Sequence, residues 1–333
     1  FNEYGGELGV FDTSIGTYEL LKDINVGGSS NPSLRVLLGD EIYFTANDGI
    51  HGSELWKTDG TESGTVMVAD ITPGSNGTNI GDLMVMNGTF YFESSTSEYG
   101  WELFKWNSEI GLQLVKDIFP GVNTYGLPNG SYPSLHVELD GHIYFTARDS
   151  WNGGSGNYEL WKTDGTENGT VMVRDINGDD SSSSVSQLIV YEDIIIFSAN
   201  NGVNGTELWR TDGTELGTFM VKDINSGAGT SYSGQFINFD GLIFFSAQNS
   251  TYNMELWKTD GTFEGTRLVV DIKQGYGSSS PSSFTILNNN LYFSAADSEH
   301  GLELWMTDGT VEGTSLVKDI CLGPCDSQYL NYA

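Results

Sequence analysis

Glu207-Leu-Trp-Arg-Thr-Asp-Gly-Thr214 reads as a short strand running into a tight turn, because Leu-Trp-Arg-Thr is rich in β-formers and Gly213 supplies positive φ. The same string, with one variable residue after Trp, recurs from Glu54, Glu159, Glu255 and Glu303, and reduced forms begin at Glu7 and Glu102. The seven Glu residues are separated by steps of 47, 48, 57, 48, 48 and 48. A fixed period near 48 means one supersecondary unit repeated, and a unit of that size cannot bury its apolar faces alone.

Working outward from the second copy, Ser33 to Leu38 is a short apolar strand, Gly39-Asp40 a turn, and Glu41 to Ala46 a second strand. Asn47 to Gly52 is a loop of turn formers, Glu54 to Thr58 the third strand, and Gly64 to Ile71 the fourth. Four short antiparallel strands per repeat match a propeller blade, so the chain is expected to be an all-β, seven-bladed β-propeller, with eight blades the alternative. The blades run near 1–33, 34–82, 83–134, 135–187, 188–235, 236–283 and 284–333, as one domain. The first copy holds only strands three and four, so one blade is expected to be composed from both chain ends.

Bulk composition fits this class. The 333 residues carry 43 glycines and 38 % hydrophobic residues, and 45 acids against 14 bases give a net charge of −31. That charge argues against nucleic acid and anionic membrane partners and favours an extracellular, high-salt or divalent-rich setting. Ten of the bases fall at two repeat positions: Lys57, Lys105, Lys162, Arg210 and Lys258 after the motif aromatic, and Lys22, Lys116, Arg174, Lys222 and Lys318 before an Asp-Ile pair. They are read as partners for the repeated carboxylates. No apolar run approaches the ~18 residues of a membrane span. No signal peptide is visible, which reads as a mature form or a fragment of a longer chain.

The full pattern, Glu207 to Thr214 followed by Gly217-Thr218 and Val221-Lys-Asp-Ile224, resembles the ELWxxDGT (hyalin-like) repeat family of large surface or secreted proteins. The resemblance covers essentially the whole chain. It implies a β-propeller on an extracellular protein and names no catalytic residue. The copies at Glu7 and Glu102 lack the Asp-Gly-Thr turn, so their hairpins are expected to differ.

The single step of 57 marks a candidate site, since it inserts about ten residues into two loops of the fourth blade. These loops carry Tyr125, Asn129 and Tyr132, and Asp149, Trp151, Asn152 and Tyr158. Aromatics among Asx and Gly residues can stack on a sugar or grip a partner loop; a decorated rim is the plainer reading. Calcium is a second candidate. Four residues after the strand-two Phe stand Asp48, Thr96, Asp149, Asn201, Asn249 and Asp297, on the face of the seven Asp-Ile carboxylates. Asp48, Asp149 and Asp297 are the candidate ligands, against ordinary Asx-turn chemistry. The repeated Trp is read as core or inter-blade packing.

Cys321 and Cys325 are expected to form a local disulfide, which implies an oxidising compartment. Six sequons, at Asn76, Asn87, Asn129, Asn168, Asn204 and Asn249, permit N-glycosylation in loops. The four histidines form no zinc-like spacing, and no nucleophile elbow, P-loop or dinucleotide fingerprint is present. The functional expectation is a non-enzymatic extracellular structural or adhesive module that meets proteins or glycans, or assembles with itself. A lectin-like propeller is the alternative, and a propeller glycoside hydrolase or lyase a third.

Overall fold

The computed structural model describes residues 6–324, apart from 73, 75, 76, 79, 97, 152–155, 179 and 180. Among these residues there are 26 strands and no helix. Strands β1 (Leu8–Asp12) and β2 (Thr17–Lys22) form a two-stranded sheet. Strands β3 (Ser33–Leu38), β4 (Glu41–Asn47), β5 (Ser53–Thr58) and β6 (Val66–Ala69) form the first four-stranded sheet, each pairing antiparallel with its successor. Five further sheets repeat this order within 81–116, 134–174, 186–222, 234–270 and 282–318. The chain is a seven-bladed β-propeller, with the four-strand meander that the 48-residue period predicts. Completion of the first blade by the C-terminus falls on residues 325–333, outside the described residues. Contacts divide the chain into two compact units, Phe1–Asp149 with Thr163–Thr170, and Ser150–Lys162 with Val171–Ala333, each of which is described by itself.

Local chemistry explains the meander. The second strand is apolar on both faces, and its Phe is buried in every complete blade: Phe44, Phe92, Phe145, Phe197, Phe245 and Phe293. Each such side chain contributes about 1.5–3 kcal/mol by leaving water. The hairpin before it turns through Asp140-Gly141 or Asp240-Gly241 with both residues at positive φ, the geometry that matches strand twist in a two-residue loop. The motif Trp packs as expected: Trp56 clusters with Phe44 and Ala46 of its own blade and with Ile24 and Leu8 of the preceding one.

Candidate functional site

The Glu that opens each motif is the most constrained polar residue in the repeat. From Glu54 to Glu303 all six copies are fully buried. In every copy one carboxylate oxygen accepts the backbone N–H of the Ile in Asp-Ile: Ile24, Ile71, Ile118, Ile176, Ile224, Ile272 or Ile320. In six copies the other oxygen accepts an N–H from a Ser or Thr just ahead of the next inner strand: Ser30, Thr78, Ser131, Ser183, Ser231 or Ser279. Glu303 bonds Cys321 instead. The Glu thus ties the loop between two blades to the strand it leaves. Burial pushes the carboxyls of Glu102, Glu159, Glu207 and Glu255 up to about 7, against hydrogen bonds that pull them down. The Ser/Thr partner was missed in the sequence, although its near-constant offset of 24 residues from the Glu in four copies could have revealed it.

At the other end of the third strand, Thr-Asp-Gly-Thr-x-x-Gly-Thr closes on itself. In the second blade Asp59 Oδ1 accepts the N–H and hydroxyl of Thr61, and Gly64 N–H donates to Thr61 Oγ1. The hydroxyls of Thr58 and Thr65 meet at 2.7 Å. A Cβ on Gly64 would lie 2.0 Å from Asp59 Oδ1, so only glycine fits there. Four other copies repeat the knot.

This knot holds out two carbonyls to the blade before it. Lys105, Lys162, Arg210 and Lys258 donate to the carbonyls of Gly165, Gly213, Gly261 and Gly309. Lys22, Lys116, Arg174 and Lys222 donate to those of Thr65, Thr170, Thr218 and Thr266. Eight repeated bases therefore clasp the backbone of the next blade, not the repeated carboxylates that the sequence reading gave them. Of the two remaining repeated bases, Lys57 and Lys318, Lys57 pairs with Glu41 at 2.8 Å.

The insertion-bearing residues lie as follows. In the first unit, Asn123 Oδ1 organises the 121–133 loop by accepting the N–H groups of Tyr125 and Leu127, and Val122 bridges Pro128. Tyr125 is 87 % exposed at its tip. Asn129 donates to the Pro120 carbonyl, and Arg148 lies 4.6 Å above the Tyr132 ring. Asp149 ends this unit half-buried. Trp151, 54 % exposed, and Tyr158, the first residue of a third strand, belong to the second unit. Asn152 lies outside the described residues.

Of the calcium candidates, Asp48 accepts the N–H groups of Ile50 and His51 through Oδ1 and meets His51 Nδ1 at 2.6 Å through Oδ2. Asp297 does the same with Glu299 and His300. Both carboxylates are engaged within their own turns. The oxygens left over are Oδ1 of Asp23, Asp70, Asp223, Asp271 and Asp319, buried without a hydrogen-bond partner among the described residues. Among those residues no group of three or more His, Cys, Asp or Glu is arranged to hold a metal.

Cys321 is disulfide-bonded, and Cys325, the chain's other cysteine, lies outside the described residues. Of the sequons, Asn87 and Asn168 are exposed on hairpins. The side-chain amides of Asn129 and Asn204 donate to the Pro120 carbonyl and to Asp223. Asn249 accepts the N–H groups of Thr251 and Tyr252 through its own oxygen. Asn76 lies outside the described residues.

No family model matches the chain, and no curated protein matches it in sequence. Solved structures do resemble it in fold. A prolyl endopeptidase matches with a TM-score of 0.52 and 10 % identity over 86 % of this chain and 42 % of that one. Prolyl oligopeptidase B from Galerina marginata, bound to a macrocyclization substrate, gives 0.53 and 10 % over 84 % and 42 %. The computationally designed Ika8 protein gives 0.49 and 16 % over 97 % and 84 %. The chain spans less than half the length of either peptidase, and at these identities the likeness concerns the fold.

Proposed function

We propose that this chain is a non-enzymatic extracellular β-propeller module with a structural or adhesive role, mediating contacts between proteins or at a cell surface. The observation that carries this reading is where the repeated polar residues go. The motif Glu holds the inter-blade loop, the Asp-Gly-Thr knot holds itself, and eight bases hold the next blade. That chemistry yields a rigid scaffold and leaves recognition to loops and surface. The bonded Cys321 supports an oxidising compartment, and the charge of −31 supports a solvated surface role. The resemblance to ELWxxDGT surface proteins agrees with both. The test is binding of the labelled chain to intact cells before and after surface proteolysis. Saturable, protease-sensitive binding is expected, and absence of saturable binding removes the adhesive reading.

A glycan-binding reading is the alternative, favoured by the exposure of Tyr125 and Trp151. A glycan array with the wild type and Trp151→Ala tests it, and wild-type silence ends it. Calcium is kept in the reading as a ligand of the Asp-Ile face; melting unchanged by chelator removes it.

A further inference from the structure

Arg267 breaks the repeat on the outer strand of its sheet. It opens the strand Arg267–Val270, at the place held elsewhere by Val66, Val171, Phe219 and Ser315. Its backbone partner in the third strand, Asn253–Thr259, is Lys258, so two cationic side chains stand directly opposite one another. Like charges in that relation cost stability. One blade earlier the same pair is Arg210 and Phe219, and the guanidinium lies 5.2 Å from the ring centroid. The same outer strand ends on Val270, where Lys22, Lys116, Arg174 and Lys222 supply the second clasp. This blade therefore holds the next knot by one prong, Lys258 to the Gly309 carbonyl at 2.7 Å.

A cavity of about 280 Å³ lies at that half-made fork, lined by Lys258, Arg267 and Val269 on one side and by Gly309 and Val311 on the other. It stands between two complete four-stranded sheets, and every residue from 181 to 324 is described. Arg267 is exposed and makes no hydrogen bond or ion pair among the described residues. Two carboxylates act on the cations from nearby, Asp260 on Arg267 and Asp308 on Lys258. Each commits its Oδ1 to a Thr of its own knot. Burial, with Arg267 beside it and against the pull of Asp308, holds the Lys258 ammonium below its ordinary value. Two cations with donors to spare, beside an apolar wall, suit an anion. A single bound ion would leave most of the volume empty, so the ligand brings carbon with its charge. Asp260 and Asp308 on the flanks disfavour a doubly charged head, and the planar fork of Arg267 matches a carboxylate.

We propose that this cavity receives an acidic side chain of a partner protein, with its carboxylate on Arg267 and Lys258 and its methylenes against Val269 and Val311. Glutamate fits better than aspartate, because its extra methylene reaches the apolar wall. The net charge of −31 repels an acidic partner at long range, but at about 0.15 M salt that repulsion is screened beyond about 8 Å, and the local cation pair decides. The proposal rests on the interaction-module reading and names the chemistry of the partner group. Its test uses a defined small molecule, so its failure and the failure of cell binding are separate results.

The probe is N-acetyl-glutamate N-methylamide, titrated into the whole isotope-labelled chain while the backbone amide signals of Arg267, Val269, Gly309 and Val311 are followed by NMR. Saturable shifts centred on these residues are expected, with a Kd on the order of 1–10 mM for so small a ligand. The neutral glutamine analogue should leave the signals in place. Arg267→Gln should weaken binding at least about fivefold, and so should Val311→Asp, which sets a negative charge at the cavity mouth. Arg267 and Val311 are both exposed, and a melting curve for each variant confirms that it remains folded. Absence of saturable shifts, equal shifts with the glutamine analogue, or binding that Arg267→Gln leaves unchanged overturns the proposal. Tighter binding of a sulfated glucose than of the glutamate compound also overturns it, and assigns the cavity to a glycan instead.

Discussion

Lys57 and Lys105 hold the same place in successive blades and bond differently. Lys105 reaches 2.7 Å to the Gly165 carbonyl, in the Asp-Gly-Thr knot of the next blade. Lys57 faces a blade whose hairpin has no such knot: Asn107-Ser108-Glu109-Ile110-Gly111 closes around Asn107 Oδ1, which accepts the N–H groups of Glu109 and Ile110. Lys57 turns back to Glu41 on its own sheet. The second base of that blade is missing altogether, since Ala69 stands where Lys22, Lys116, Arg174 and Lys222 stand elsewhere. The repeat unit that matters for stability therefore spans two blades: a fork of bases on one and a knot of carbonyls on the next.

The largest effect on that contrast should come from the element common to both blade types. Glu207→Ala leaves the N–H groups of Ile224 and Ser231 buried without their acceptor and should cost about 3–5 kcal/mol, read as a drop in denaturant midpoint. Glu102→Ala, in the blade that lacks the knot, should cost a similar amount if the two devices are independent.

Removing single clasps should separate the blade types. Lys162→Met deletes a charged donor to the Gly213 carbonyl and is expected to cost about 1.5–3 kcal/mol. Lys57→Met removes a half-exposed ion pair that solvent screens, and it should lower the denaturant midpoint much less than Lys162→Met does. Equal losses in the two variants would refute the clasp.

The pH profile tests the Glu network. A carboxyl raised above its ordinary value binds its proton more tightly in the folded chain. The stability it contributes is complete below pH 4.5 and is lost as pH rises through about 7. His51 and His300, raised by Asp48 and Asp297, add a loss above 6.5. The knot carboxylates Asp59, Asp164, Asp212, Asp260 and Asp308 are lowered by their Thr partners, so their contribution is lost as pH falls below 3.8. Melting temperature should therefore peak in mildly acidic buffer and fall toward pH 8. Added salt, which screens the net charge, should leave most of that fall in place. Glu207→Gln should make the slope shallower.

The smallest effect is a gain. Val270→Lys offers the missing base to the Thr314 carbonyl of the last blade's knot and should raise the melting temperature by about 1–2 °C. Ala69→Lys faces the knotless hairpin and should raise it by nothing measurable.

Strands and turns were legible in the sequence because their causes are local. Gly60 needs positive φ, Tyr43-Phe44-Thr45 favours a pleated, doubly covered strand, and both lie within a few residues of the groups that constrain them. The bases were placed correctly and partnered wrongly. Abundant acids made carboxylates the natural partner, and a carbonyl some 50 residues away leaves no compositional trace. The motif Glu served as a ruler, and only its burial exposed its work. Irregularity in spacing pointed to the fourth-blade loops, whereas the exposure of Ile42, 42 % against 0–3 % for Phe90, Ile143, Ile195, Ile243 and Leu291 at the same place in later blades, is invisible to spacing because its sequence context is ordinary.

By itself, then, the sequence determined the period, the four-strand unit and the turn chemistry, all of which follow from short-range sterics and alternation. Tertiary structure decided which carbonyl each base meets, which carboxyls are pushed toward neutrality and which apolar side chain is left open. Each of those depends on what the adjoining blade places against a residue, and no residue's own neighbourhood in the chain records that.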